Sequence, residues 1–67
     1  MDLEEAVKYA EEFLEERHSS IGLESAELIG NAWVLEFEVG FLSSQIKQVK
    51  VEDKTGKIIG YKDVTED

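Results

Sequence analysis

Val49-Lys50-Val51-Glu52-Asp53-Lys54-Thr55-Gly56-Lys57-Ile58-Ile59-Gly60-Tyr61 reads as two strands joined by a tight turn. Asp53 is placed to accept hydrogen bonds from backbone N–H groups near it. Thr55 tolerates the bridge region, and Gly56 supplies the positive φ that closes a type I turn with a glycine bulge. Pairing Asp53 with Lys57 sets Val51 opposite Ile59 and Val49 opposite Tyr61, so that all four share one apolar face. A lone hairpin with such a face is marginal in water. The upstream chain must therefore supply further strands and a cover.

The strands lie directly upstream. Trp33-Val34-Leu35-Glu36-Phe37-Glu38-Val39 alternates apolar and polar positions, the signature of a strand with one face buried. Gly30-Asn31 before it is a two-residue hairpin loop, so residues 32–39 return antiparallel to a strand over residues 23–29. In that register Leu28 opposes Trp33 and Ala26 opposes Leu35. A third strand over residues 45–52 follows a loop containing Gly40, Phe41, Leu42, Ser43 and Ser44. Ile46 falls out of phase with Val49 and Val51, which calls for a bulge near Lys47 and Gln48 or for an Ile46 on the outer face. The fourth strand covers residues 57–62, and residues 64–67 read as a tail.

The cover is the N-terminal segment. Leu3, Ala6, Val7, Ala10, Phe13 and Leu14 recur at helical spacing, with glutamates filling the opposite side. Asp2 and Glu5 form a capping box, Arg17 and His18 sit in the last turn, and Gly22 is a turn after the helix. Tyr9 lies at the margin of the apolar stripe. The fold class expected is α+β: an N-terminal helix packed on a four-stranded antiparallel meander sheet, in the order α-β-β-β-β. Its core is drawn from Val7, Phe13, Leu14, Trp33, Leu35, Phe37, Val49, Val51, Ile59 and Tyr61.

Composition narrows the function classes. The chain of 67 residues has room for a single domain, residues 1–67, with one small core. Without cysteine there is no disulfide, thiolate metal site or thiol redox chemistry. A net charge of −9 repels nucleic-acid phosphates and anionic lipid surfaces, so neither is expected as a partner. The acidic start lacks the features of a secretory signal, and no stretch reaches transmembrane length. The localisation expected is cytoplasmic, with a fragment of a longer secreted precursor as the alternative.

The helix, the strand beginning at Trp33, and Val49-Lys50-Val51-Glu52-Asp53-Lys54-Thr55-Gly56-Lys57-Ile58-Ile59-Gly60 together resemble a PepSY domain. In that family a short helix precedes a tryptophan-led strand and a hairpin of the form V-x-V-D-x-x-T-G-x-V/I. Here Glu52 stands between the second valine and Asp53. The resemblance implies a cystatin-like curved sheet around a helix, and a protein- or peptide-interacting role that is inhibitory toward peptidases in some members.

Candidate chemistry is sparse. Asp53-Lys54-Thr55-Gly56 also spells the phosphorylated-aspartate motif of P-type ion pumps. That chemistry needs a parallel α/β domain and membrane helices, so Asp53, Thr55 and Gly56 are read as turn residues. His18 is the only histidine and is placed at a helix end. Ser43 and Ser44 have no base assigned to them. Glu11 with Glu15, and Glu12 with Glu16, lie one turn apart on a solvated helix face, where a hard cation would be the ligand. No catalytic residue, cofactor or metal site is assigned.

Phe41 and Leu42, two large apolar residues in a loop, are the candidate partner contacts. The function expected is a non-catalytic protein- or peptide-interaction module, pairing along a strand edge or across the outer face, with a homodimer as the companion expectation. The alternatives are a small cation-dependent or acid-base enzyme using the helix carboxylates, and a homodimeric structural protein without a ligand.

Overall fold

Asp2 starts the helix through its side chain. Glu5 N–H donates to Asp2 Oδ1 at 2.9 Å, satisfying a donor that the first turn leaves open, and Ala6 N–H makes the first helical bond to the Asp2 carbonyl at 3.1 Å. In the computed structural model, which describes residues 1–18, 20–40 and 45–64, helix α1 spans Leu3–Glu15. Arg17 and His18 lie past its end instead of within its last turn, and both amides donate to the Leu14 carbonyl. Arg17 still serves that end, because its guanidinium donates to the Phe13 carbonyl at 3.1 Å. The buried line of α1 is Ala6, Ala10 and Leu14. Two alanines on that line let the helix axis come close to the sheet.

The sheet has four antiparallel strands in the order of the chain: β1 (Ile21–Ile29), β2 (Ala32–Val39), β3 (Gln45–Glu52) and β4 (Ile58–Asp63). The α+β meander expected from the pattern is the fold observed. Gly22 is a strand residue opposite Glu38 and not a turn. Between β1 and β2 the loop is Gly30-Asn31 and Ile29 pairs with Ala32. Only Gly30 takes a positive φ, 61°, the sign pattern of a type II′ turn.

β2 and β3 pair without interruption from Ala32 with Glu52 to Val39 with Gln45, so no bulge forms at Lys47 and Gln48. Ile46 therefore faces away from the helix. Lys47 faces toward it, opposite Phe37, with its side chain only 13% exposed and its ammonium 3.0 Å from Asp63. The lysine stem closes the end of the core while the charge reaches the rim.

The bulge sits in the last hairpin instead. Val49 opposes Tyr61 as the alternation requires, but Val51 opposes Ile58, with the register shifting between Lys50 and Val51. Glu52 N–H donates to the Lys57 carbonyl, so the Asp53–Lys57 pairing does not form. The extra residue turns Ile59 to the outside, where it is 51% exposed, and Ile58 takes its place against the core. Ile59 is thus not a core residue. Tyr61 is on the helix side but 40% exposed, at the rim of the core.

The fully buried apolar residues are Ala6, Ala10 and Leu14 of α1 with Leu35, Phe37 and Val39 of β2 and Val49 and Val51 of β3. None comes from β1 or β4. Val7, Phe13 and Trp33 are half-buried around this centre.

Candidate functional site: the open edge along β1

The direction of each backbone group in β1 follows from one hydrogen bond. Asp53 N–H donates 2.8 Å to the Asn31 carbonyl, so Asn31 and the alternate residues Trp33 and Leu35 turn their backbone groups toward β3. Ala32 and Val34 then turn theirs toward β1 and exchange bonds with Ile29 and Glu27. Leu28 and Ala26, opposite Trp33 and Leu35, are left with N–H and C=O directed away from the sheet. Those groups line a strand edge that no element of the described structure covers.

The same residues carry the apolar side chains of the edge. Leu28 and Ala26 face the helix side, as does Leu23 beyond a bulge between Leu23 and Ser25. Leu23 and Leu28 are 44% and 48% exposed, although their cross-strand neighbour Phe37 is fully buried and Trp33 half-buried. The asymmetry comes from the helix. Its aromatic flank leans toward β4: the Tyr9 ring lies over Gly56, and Phe13 meets Tyr61 edge to face with centroids 5.1 Å apart. The Arg17 guanidinium stacks 4.1 Å over Phe13, and His18 Nε2 lies 3.2 Å from the Tyr61 hydroxyl. At 100° per residue, Val7 and Glu11 occupy the opposite flank, and no aromatic ring reaches from there over β1.

Charge divides the sheet in the same direction. β1 and β2 carry Glu24, Glu27, Glu36 and Glu38, and no Lys or Arg occurs between Arg17 and Lys47. Five of the seven basic residues lie at Lys47 or later, on β3, β4 and their turn. On the outer face Glu36 is tied to its neighbours by the Ser25 hydroxyl at 3.0 Å and the Gln48 amide at 3.5 Å. Glu24 and Glu27 project exposed beside the free edge.

The residues singled out from the sequence fall as follows. Phe41, Leu42, Ser43 and Ser44 lie outside the described residues. Gly56 takes φ 74° in the turn as its composition demands. Thr55 holds that turn by donating to Glu52 Oε1 at 2.7 Å and accepting from Lys57 N–H at 3.2 Å. Asp53 does not cap the turn with its side chain. Its Oδ1 accepts the Trp33 indole N–H at 2.8 Å, locking the tryptophan to the far hairpin. Among the described residues no three acidic or histidine side chains converge as a metal-holding group, the helix glutamates included. A shallow depression of about 270 Å³ lies beside Gly60, lined by Gln48, Lys50, Ile59, Tyr61 and Lys62. No helix of the described structure is long and apolar enough to cross a membrane.

The β1 edge is implicit in the strand order of the meander, and Ala26 and Leu28 alternate as a strand requires. Its exposure had no signal, because it depends on which side of the helix the aromatic rings of Tyr9 and Phe13 settle.

The helix and the meander, with β1 at one open edge, define a class: a small two-layer α+β scaffold. Comparison of the chain with family models, curated proteins and solved structures found no match.

Proposed function

We propose that this protein is a non-catalytic interaction module that receives an extended segment of a partner protein as a fifth strand along β1. The observation that carries this reading is the coincidence, at Ala26 and Leu28, of outward-directed backbone groups with apolar side chains that the helix leaves half-covered. A fifth strand satisfies both: its backbone extends the ladder and its side chains cover Leu23 and Leu28. The PepSY resemblance supports the same kind of role, with modulation of a peptidase as its form in that family.

The β4 edge is the weaker candidate, since it is shorter, carries Lys62 with Lys57 just before it, and has Phe13 and Arg17 against Tyr61 on its helix side. A second copy is less suited to β1, because the antiparallel self-pairing that sets Ala26 opposite Leu28 centres on Glu27 and places it against its own counterpart, and like charges across strands destabilise.

The test is selection of peptides from a random display library on the intact protein, followed by amide-resonance mapping. Binders should perturb residues 25–29 and lose roughly tenfold in affinity to Ala26→Pro, which removes an outward N–H without touching the β1–β2 ladder. Leu28→Asp serves the same purpose should the proline variant unfold. Binders that map to β4 or the outer face, or that ignore both variants, overturn the proposal.

A further inference from the structure

We infer that the strand received by β1 runs antiparallel to it and has a core of three residues, apolar, basic, apolar, opposite Leu28, Glu27 and Ala26. The inference rests on β1 being the binding edge and adds to it the direction, register and chemistry of the ligand.

Direction follows from the sheet. Each of its pairings is antiparallel, and Ala26 and Leu28 each present an N–H and a C=O side by side to the open edge. An antiparallel strand meets each such residue with one of its own and exchanges both bonds, a slightly more stable arrangement per residue than the slanted parallel one. The ligand residues that exchange bonds are then those opposite Ala26 and Leu28. Residues directly opposite project to the same face, so these two lie on the helix side, above the apolar surface that Leu23 and Leu28 leave exposed.

The middle residue has the reverse disposition. It stands opposite Glu27, its side chain on the outer face and its amide directed to solvent. Glu27 is exposed there, Glu24 is the exposed residue of the bulge, and Glu36 and Glu38 stand behind on β2 without a basic residue on either strand. A lysine or arginine meets opposite charge at this point, whereas an acidic residue meets repulsion. Ala26 sharpens the motif further. As a small residue between two leucines it leaves room above itself, so the ligand residue opposite Ala26 takes the bulkier apolar side chain. The bulge between Leu23 and Ser25 breaks the register, which keeps the recognised core short.

The experiment titrates the labelled protein with an acetylated, amidated heptapeptide, Ser-Thr-Val-Lys-Leu-Thr-Ser, and with forms N-methylated at valine and leucine or at lysine. Methylating both apolar amides should abolish binding, and methylating the lysine amide should leave affinity within about threefold. Replacing the peptide lysine by glutamate should weaken binding roughly tenfold, and Glu27→Lys should restore that peptide. Loss confined to the N-methyl-lysine form means a parallel strand and overturns the inference. Equal loss for both forms, or indifference to the charge swap, overturns it as well. Silence of the heptapeptide while library peptides bind at residues 25–29 overturns the motif and leaves the edge reading standing. Silence of both at that edge overturns the two together.

Discussion

Gly56 lies directly beneath the ring of Tyr9, so close that a Cβ built on the glycine would stand 2.7 Å from Tyr9 Cε2 and 2.9 Å from Cζ. The turn of the last hairpin is therefore docked on the helix at a position where an added Cβ would displace the Tyr9 ring, and it also holds φ at 74°. Gly56→Ala should cost about 1–3 kcal/mol in urea unfolding, mostly left-handed backbone strain of about 1–2 kcal/mol, with the remainder from displacing the exposed Tyr9 ring. In a Tyr9→Ala background the same substitution should cost only the backbone part. An equal cost in both backgrounds would remove the clash from the account. Lys54→Ala, exposed in the same turn, should change stability by less than about 0.5 kcal/mol.

Trp33 and Asp53 report on the joining of the two hairpins. The indole N–H to Oδ1 bond of 2.8 Å is part-buried and ends on a carboxylate, a combination worth about 1.5–3 kcal/mol. Asp53→Ala should lose most of that and shift tryptophan emission to the red. Asp53→Asn, which keeps an acceptor oxygen, should lose roughly 1 kcal/mol or less. Identical unfolding midpoints for the two variants would mean that the bond contributes nothing.

The bulge in the last hairpin makes neighbouring isoleucines unequal. Ile58 packs on the core and Ile59 is in solvent. Truncating Ile58 to alanine should cost about 1–3 kcal/mol, whereas Ile59→Ala should stay within about 0.5 kcal/mol. The regular register, with Val51 opposite Ile59, requires the reverse order, so the pair of measurements decides between them.

Lys47 works mainly through its stem. With Asp63 half in water, the ion pair at 3.0 Å is screened and contributes little, while the methylenes lie beside Phe37 at the end of the core. Lys47→Met should be neutral within about 1 kcal/mol, and Lys47→Ala should cost about 1–2 kcal/mol. Loss of stability in Lys47→Met that vanishes at high salt would show instead that the charge pair carries the effect.

Much of the architecture was legible in single residues. The alternation from Trp33 to Val39, the helical spacing of Ala6, Ala10 and Leu14, the Asp2 cap and the Gly30-Asn31 loop each follow from short-range rules, and those rules led to the helix and meander observed. Of the candidate contacts, Phe41 and Leu42 lie outside the described residues. The β1 edge was implicit in the strand order but not in any motif.

The hairpin of residues 49–61 shows where the boundary lies. Its local chemistry determined by itself that a turn forms here, that Gly56 takes a positive φ and that Val49 meets Tyr61. Only the tertiary structure decided that Ile58 rather than Ile59 faces inward, that Asp53 serves Trp33, and that Tyr9 closes over Gly56. The reason is that periodicity assigns residues to faces, while one inserted residue exchanges those faces and only long-range packing places that insertion. Coverage is non-local in the same way: Leu28 shares a face with Leu35, yet Leu35 lies on an inner strand and Leu28 on an edge strand away from the aromatic rings of the helix, so one is buried and the other half in water.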